Sequence, residues 1–419
     1  YADFLDIGRF QILSASPELF FRLKGGHLTT RPMKGTWPRG RWSAEDERHQ
    51  TQLKQSEKNR SENVMIVDML RNDLGMISKP GTVSVPSLWD VEPYETVLQM
   101  TSTVTSEVSK DIAISQVLKA MFPCGSVTGA PKVRTMQIIS ELELDARGIY
   151  TGSIGYISPG GEACFNVAIR TVCIDRESGT AEFGVGGGIT FDSSPDGEYD
   201  ECVTKARILT TRRTDFDLFE TLRYCRDEGY FLLDRHLDRL AGSAAYFGFA
   251  LNRPEIEGIL LAEAERLGEG PFRVRCLLTR SGVVTLETVP LLVRKSEPWR
   301  VDFSPRPVDS QDVMLFHKTT DRTAYERRLA DRPGCDEIIL VNERGEVTEC
   351  AIGNLVVEIG GRLWTPPMSC GLLPGTFRAH LLDAGQIEER TVTIQEVRGA
   401  DALFMINSVR EWVSLTLVI

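Results

Sequence analysis

The sequence predicts an α+β protein built from two domains, and three observations carry that expectation. The chain has 419 residues, more than one ordinary domain at roughly 150 residues each. Apolar runs and alternations typical of strands mix with stretches of helical spacing in both halves. The pattern restarts after the basic pair Arg212–Arg213, where "TDFDLFETLRY" opens a new strand. The division is placed there, giving domains of 1–213 and 214–419.

Each element has a local reason. "RFQILSAS" reads as a strand, and "LFFRLKGGHLTTRP" as two strands around a Gly-Gly turn. "SAEDERHQTQLKQSEKNRSENVMIVDMLRNDLG" reads as one long helical stretch, with Ser43 as N-cap and Gly75 as stop. "ISQVLKAMF" and "PKVRTMQIISELE" are helices, the second with proline near its first turn. "YTGSIGYISP", "NVAIRTVCID" and "AEFGVGGGITF" read as strands, and "GEYDECVTKARILTTRR" as a closing helix. In the second half "LLDRHLDRLAGSAAYFGF" and "RPEIEGILLAEAERLG" are helices, followed by strands, with "NERG" turning between two apolar arms.

Composition narrows the function. A hydrophobic content of 42% and a charged content of 26% are ordinary for a globular protein. The net charge of −11 argues against nucleic acid or an anionic membrane as main partner. It leaves room for a small anion in a locally basic site. No apolar run approaches a membrane span, and the opening residues do not read as a signal peptide. Nine cysteines include no C-x-x-C pair and are odd in number. A disulfide framework or structural zinc site is therefore not expected, and a reducing, cytoplasmic setting is. The chain opens on Tyr1 and soon enters a strand, so upstream residues are expected to be missing.

Several residues suggest chemistry. In "RPMKGTWPRG", Lys34 sits between Pro32 and a Gly-Thr pair, a setting a surface lysine does not need, though a solvated strand end is the plainer alternative for a lone lysine. Glu198 and Glu201 lie three apart on one helix face, and Glu62 lies on another helix. Three converging carboxylates would suit Mg²⁺, which takes oxygen ligands and completes its shell with substrate and water; a solvated face with a Glu201–Lys205 pair is the plainer alternative. "GVGGGI" offers backbone N–H groups with little side chain in the way. Arg170, among apolar neighbours in "AIRTV", needs an anionic partner if it points inward. "GSVTGAPK" sets a glycine-containing turn at a helix start, a further anion seat. In the second half Lys318, Glu349, the Gly375–Thr376 helix start and Arg239 supply an amine, a carboxylate for a pyridine nitrogen and a phosphate seat. Together these would make a site for pyridoxal 5′-phosphate; ordinary surface positions, with Lys318 a loop lysine, are the plainer alternative on spacing alone.

The motifs "SASPELF", "TRPMKGT", "NRSENVMIVDMLRNDLG", "FPCGSVTGAPKVRTMQII", "GSIGYIS", "IRT" and "GGGITFDSSPDGEYDECVTKA" resemble, in order, those of the chorismate-utilising enzymes over nearly all of residues 1–210. The "MKGT" form resembles the aminodeoxychorismate branch, since anthranilate synthases typically have alanine where Lys34 stands. The resemblance implies antiparallel sheets with outer helices. It also implies that Lys34 attacks C2 of chorismate, expelling the C4 hydroxyl, before ammonia enters at C4 and displaces the lysine. By the same resemblance Glu62, Glu198 and Glu201 hold Mg²⁺, while Tyr156, Arg170 and Gly186, Gly187 and Gly188 hold the enolpyruvyl carboxylate. Thr128, Gly129, Ala130 and Lys205 complete the substrate site. Gln99 stands where the family usually has histidine. The family also carries a segment upstream of the point where this chain begins.

"FETLR", "HLDRL", "VTECAIGNL", "TPP", "GLLPGTFR" and "NSVREW" resemble fold-type IV pyridoxal phosphate enzymes over roughly residues 215–415. That implies a two-subdomain fold, Lys318 as covalent anchor, Glu349 at the pyridine nitrogen, Arg239, Gly375 and Thr376 at the phosphate, and Asn407, Ser408 and Arg410 near substrate or cofactor oxygens. Fusion to a chorismate-aminating half points to the aminodeoxychorismate lyases. The expected sequence is amination of chorismate to 4-amino-4-deoxychorismate, then elimination of pyruvate to give 4-aminobenzoate. Ammonia would come from a separate glutaminase subunit, and the chain would form a homodimer through its second half. The alternatives are an anthranilate-type first half with a transaminase-like second half, or a non-catalytic, partner-binding first half.

Overall fold

Gly25 and Gly26 take φ values of +58° and +81°, which folds Leu19–Lys24 back onto His27–Arg31 as an antiparallel hairpin. The computed structural model describes residues 1–191, 193–209, 215–292 and 298–418. Around the hairpin a seven-stranded antiparallel sheet forms in the order Met33–Pro38, Val97–Glu107, His27–Arg31, Leu19–Lys24, Ala163–Val167, Ser153–Ile157, with Ser84–Pro93 also paired to Val97–Glu107. Helix Glu57–Gly75 covers one face. Its Ile66, Val67, Leu70 and Leu74 join Phe20, Phe21, Leu28 and Val104 in a closed apolar core. A second antiparallel sheet runs Ala2–Asp6, Phe10–Ala15, Thr171–Asp175, Thr180–Phe183.

Three local expectations change. The long helical stretch is two helices, Ser43–Gln55 and Glu57–Gly75. Ser56 leaves helical geometry (ψ 111°), and its hydroxyl accepts from Asn59 N at 3.4 Å, capping the second helix. "NVAIRTVCID" contributes strands to two different sheets, separated at Arg170, whose φ is +51°. "AEFGVGGGITF" leaves the sheet after Phe183, and the glycines run on as an unpaired strip. The closing helix spans Pro195–Ala206; the end of that segment, with Arg212–Arg213, lies outside the described residues.

Contacts divide the chain into two units, Tyr1–Arg39 with Glu47–Arg213, and Gly40–Asp46 with Thr214–Ile419. In the second unit a four-stranded antiparallel sheet (Gly229–Tyr230, Leu218–Cys225, Phe272–Leu278, Val284–Pro290) carries helices Leu233–Phe247 and Arg253–Arg266 on its apolar face. A larger mixed sheet runs Val347–Cys350, Glu337–Val341, Trp299–Phe303, Glu411–Leu417, Ala402–Asn407, Asn354–Ile359, Arg362–Thr365, Glu388–Glu389. The pairing of Glu349 with Asn354 closes six of these strands into a ring. The run before Lys318 is a short 3-10 turn, Val313–Phe316, because Asp312 accepts from Met314 N at 3.0 Å and caps it. The early segment belongs to this unit through side chains and backbone. Trp42 packs on Phe316 with ring centroids 5.0 Å apart, Tyr246 donates to Gly40 O at 2.7 Å, and His317 Nε2 lies 3.2 Å from Arg41 O.

Gly155 tests the packing of the first sheet. A Cβ there would stand 2.1 Å from Cys164 O and 2.7 Å from the Phe165 ring. Gly155→Ala is expected to destabilise the first unit by about 2 kcal/mol or more, read as an earlier urea transition for that unit.

Candidate active sites

Lys34 stands on a β-bulge. Between Met33↔Thr101 and Thr36↔Gln99 its strand advances one residue more than its partner. That extra residue frees the backbone at Lys34 and Gly35 and re-aims the lysine. Gly35 takes φ +104°, and a Cβ there would press on Asn59 at 3.1 Å. Buried Asn63 donates to Lys34 O at 3.3 Å and accepts from Ser102 at 2.5 Å. Gln99 donates to Gly35 O at 3.1 Å and accepts from Thr36 at 3.2 Å, so the residue at the family's histidine position braces the bulge. The three arginines near Lys34 in sequence are committed elsewhere: Arg31 pairs with Glu92, Arg39 donates to Tyr94 O at 2.6 Å, and Arg41 binds Glu45 at 2.8 Å.

The lysine's tip meets the glycine strip. A Cβ on Gly188 would lie 2.2 Å from Lys34 Nζ, one on Gly187 would lie 2.5 Å from Glu198 Oε2 and 3.9 Å from Glu201 Oε2, and one on Gly186 would lie 2.7 Å from the Tyr150 hydroxyl. Here the glycines supply space for side chains arriving from other elements. Lys205 ties the strip to the helix, donating to Gly186 O at 2.8 Å while pairing with Glu201 at 2.5 Å. The plain ion pair foreseen for Glu201 is therefore present and is part of the site. Burial lowers the pKa of Arg170, with Tyr150 and Glu201 opposing, which places all three together.

Glu18 was not singled out from sequence. It is 3% exposed, and Met33 N donates to its Oε1 at 3.4 Å. Burial pushes its pKa up to about 7, opposed by Ser126, the Met33 N–H and the charge of Lys34. The signal was available: a carboxylate in the otherwise apolar "SPELFF". The tyrosine expectation is corrected. Tyr150, not Tyr156, closes on the strip; Tyr156 is 63% exposed, paired with Cys164 and beside Arg22. Strand alternation explains the difference, because "GYI" sends Tyr156 to the face opposite Gly155 and Phe165.

Glu198 accepts from Ser193 at 2.6 Å through Oε1, while its Oε2 is buried without a hydrogen-bond partner. An orphaned carboxylate oxygen facing bare backbone, with Glu201 beside it, fits a cation. The expected trio with Glu62 is not assembled: among the described residues no group of three acidic, histidine or cysteine side chains is arranged to hold a metal. Two carboxylates are sufficient for Mg²⁺, and a third would add like-charge repulsion. The "GSVTGAPK" turn is self-contained. Thr128 donates to Cys124 O and Gly125 O at 3.4 and 3.3 Å, Gly129 takes φ +90°, Ala130 precedes a cis proline, and Lys132 is tied to Asp73 at 3.1 Å.

In the second unit Lys318 lies 4.7 Å from the Phe219 ring centroid, and its carbonyl accepts from Phe219 N at 3.0 Å. Burial lowers its pKa to about 7, with Arg239 adding to the effect. Glu349 is 3% exposed, receives the Tyr325 hydroxyl at 2.9 Å and Asn354 at 3.3 Å, and has its pKa raised by burial to about 8. Gly375 caps helix Thr376–Asp383, and a Cβ on it would collide with Asn354 Oδ1 at 2.0 Å. Arg239 reaches the same corner. It donates to Pro374 O at 3.0 Å and, through two nitrogens, to Glu220 at 2.8 and 2.6 Å. His236, also unread from sequence, bridges Glu220 (2.6 Å) and Thr376 (3.2 Å). It stands three residues before Arg239, on one helix face. The low-pKa amine, the buried carboxyl and the open helix start fit pyridoxal 5′-phosphate.

The last expected trio has structural contacts. Asn407 accepts from Val409 N and Arg410 N at 3.0 and 2.9 Å and donates to Ile352 O at 3.2 Å, beside the Glu349 strand. Ser408 is buried against Thr221 O at 3.5 Å, and Arg410 lies 5.5 Å from the Trp299 ring centroid. All nine cysteines are free. Among the described residues no helix is long and apolar enough to cross a membrane.

Comparison with known proteins follows the two units. Residues 217–418 match the class IV amino-transferase family. Aminodeoxychorismate synthase of Arabidopsis thaliana is 47% identical over 219 residues, covering 52% of this chain and 24% of the relative. Anthranilate synthase component 1 of Aquifex aeolicus is 44% identical over 210 residues, covering 50% and 42%. The chain thus spans less than half the length of these relatives. A solved structure from Mesorhizobium loti, assigned by name to the amino-acid aminotransferases, is 37% identical over 49% of this chain and 100% of its own, with a TM-score of 0.46. Residues 1–211, half of the molecule, match the chorismate binding enzyme family, and the chain belongs to it.

Proposed function

We propose that the first unit aminates chorismate to 4-amino-4-deoxychorismate, and that the second eliminates pyruvate from that product to leave 4-aminobenzoate. The observation that carries this reading is Lys34, held on its bulge against the glycine strip beside Glu18. A nucleophilic amine needs a proton acceptor, and a leaving hydroxyl needs a donor. A carboxyl with a pKa of about 7 serves both at neutral pH. Lys34 adds at C2 as the C4 hydroxyl departs as water with a proton from Glu18. Ammonia then adds at C4 and Lys34 is released. Tyr150, Arg170 and the strip's N–H groups orient the carboxylates. Mg²⁺ held by Glu198 and Glu201 would neutralise a substrate carboxylate.

In the second unit Lys318 would anchor pyridoxal 5′-phosphate, with Glu349 at its ring nitrogen and Arg239 and the Gly375–Thr376 helix start at its phosphate. When bound, the cofactor supplies an electron-withdrawing ring. A pKa near 7 leaves much of Lys318 as free amine at neutral pH, fit to take and return protons. Ammonia would be delivered by a separate glutaminase subunit, as the likeness to component 1 proteins suggests. Self-association through the second unit and a cytoplasmic setting are part of the same proposal, supported by the resemblance to fold-type IV enzymes and by the cysteine pattern of the sequence. The match of residues 217–418 to the class IV amino-transferase family favours one second reading, a transaminating second unit.

Products decide between them. Purified protein given chorismate, ammonia and Mg²⁺ is expected to form 4-aminobenzoate and pyruvate; 2-aminobenzoate or a keto acid from an amino donor would overturn the reading. Lys34→Ala should lose amination by at least about 10³-fold while still releasing pyruvate from supplied 4-amino-4-deoxychorismate.

Glu18→Gln should slow amination by about 10²–10⁴-fold. It should also remove an ionisation near pH 7 from the rate profile, because the raised pKa keeps the wild-type group protonated below that pH and ionised above it. Lys318→Ala should abolish the cofactor's visible absorbance band and leave amination intact.

A further inference from the structure

Glu220, His236 and Thr376 form a buried line that ends at the phosphate seat. Their exposures are 2%, 1% and 5%. Glu220 receives two bonds from Arg239 and is held ionised with a pKa of about 2, so it can only accept. The 2.6 Å contact from His236 must therefore carry its hydrogen on Nδ1. In a neutral ring Nε2 is then bare, and burial together with Arg239 and Lys318 favours the neutral ring, with Glu220 opposing. The hydrogen in the 3.2 Å contact to Thr376 must come from the threonine hydroxyl. That hydroxyl turns its proton inward and only lone pairs toward an anion at the helix start.

We propose that His236 takes up a proton when an anion occupies the seat at Thr376, reversing this last hydrogen bond. Nε2 then donates to Thr376 Oγ1, and the hydroxyl proton swings out to the anion. The balance is one proton from solvent, with no other bond made or broken. The charges around the ring make the response selective. Glu220 comes from strand Leu218–Cys225, Arg239 from the ring's own helix, and Lys318 from the turn beyond, while Thr376 brings no charge. Arg239 is already spent on Glu220, so an arriving dianion meets too little positive charge until the imidazole supplies it. His236 is thus a positioning residue, and this role rests on reading the corner as a phosphate seat.

The chain has five histidines, which makes the test direct. Full-length protein with ¹⁵N-labelled histidine, freed of cofactor, is titrated with inorganic phosphate at pH 8. Proton uptake is measured in parallel by calorimetry in two buffers of different ionisation heat. The expected result is saturable binding, a shift of the His236 spectrum from the Nδ1–H tautomer to imidazolium, and uptake of about one proton that His236→Asn removes. Binding with an unchanged His236 spectrum overturns the inference and leaves the seat standing; uptake that survives His236→Asn would then belong to Lys318. No phosphate binding at all overturns the seat and the inference with it. Should His236→Asn fail to fold, the wild-type spectrum alone decides.

Discussion

Withdrawal of ionisable groups from water is the constraint under which both units are built. Glu18, Lys318 and Glu349 each have their pKa moved toward neutrality, and in each case burial is the largest cause. At 1.36 kcal/mol per pKa unit, the displacement of Glu18 from 4.5 to about 7 represents roughly 3 kcal/mol spent against its charged form. The surrounding apolar core has to supply that. It does so from the packed helix Glu57–Gly75 and the sheet beneath it in the first unit, and from the closed ring of strands around Glu349 in the second. Reactivity and fold are thus set by one quantity, the exclusion of water.

Much of this was legible in residues. The Gly-Gly hairpin, the "NERG" turn, and the helices beginning near Leu233 and Thr376 follow from local chemistry and stand where that chemistry puts them. Setting and spacing singled out Lys34 and the Glu198–Glu201 pair without outweighing an ordinary surface reading, and the family resemblance gave them roles. What sequence hid depends on register or on distant partners. A single inserted residue in a ladder leaves no compositional mark, so the bulge under Lys34 was invisible. Tyr150 and Tyr156 both sit near glycines, and composition does not show that Tyr150 in the turn closes on the strip while Tyr156, paired with Cys164 in its strand, stays exposed. Glu18 carried a mark, a carboxylate in an apolar run, but its role depends on Ser126 and Lys34, which only the fold brings beside it. Ser56, a polar residue within a helical pattern, carried the break as a cap signal that spacing alone outvoted.

The glycine strip shows a second kind of economy. Its residues do not hold positive φ, so turn geometry is not their reason. The space of each omitted side chain is taken by one from elsewhere: Tyr150, Glu198 or Lys34. The strip is a backbone surface against which three elements are positioned.

The seven residues Gly40–Asp46 give the molecule a property that neither half would have alone. They come from the sequence of the first half and are built into the second, with Trp42 against Phe316 and the Arg41 carbonyl beside His317, next to Lys318. A cut near residue 213 would therefore not part the two units cleanly, because it would leave Gly40–Asp46 on one piece and the unit it is built into, with His317 and Lys318, on the other.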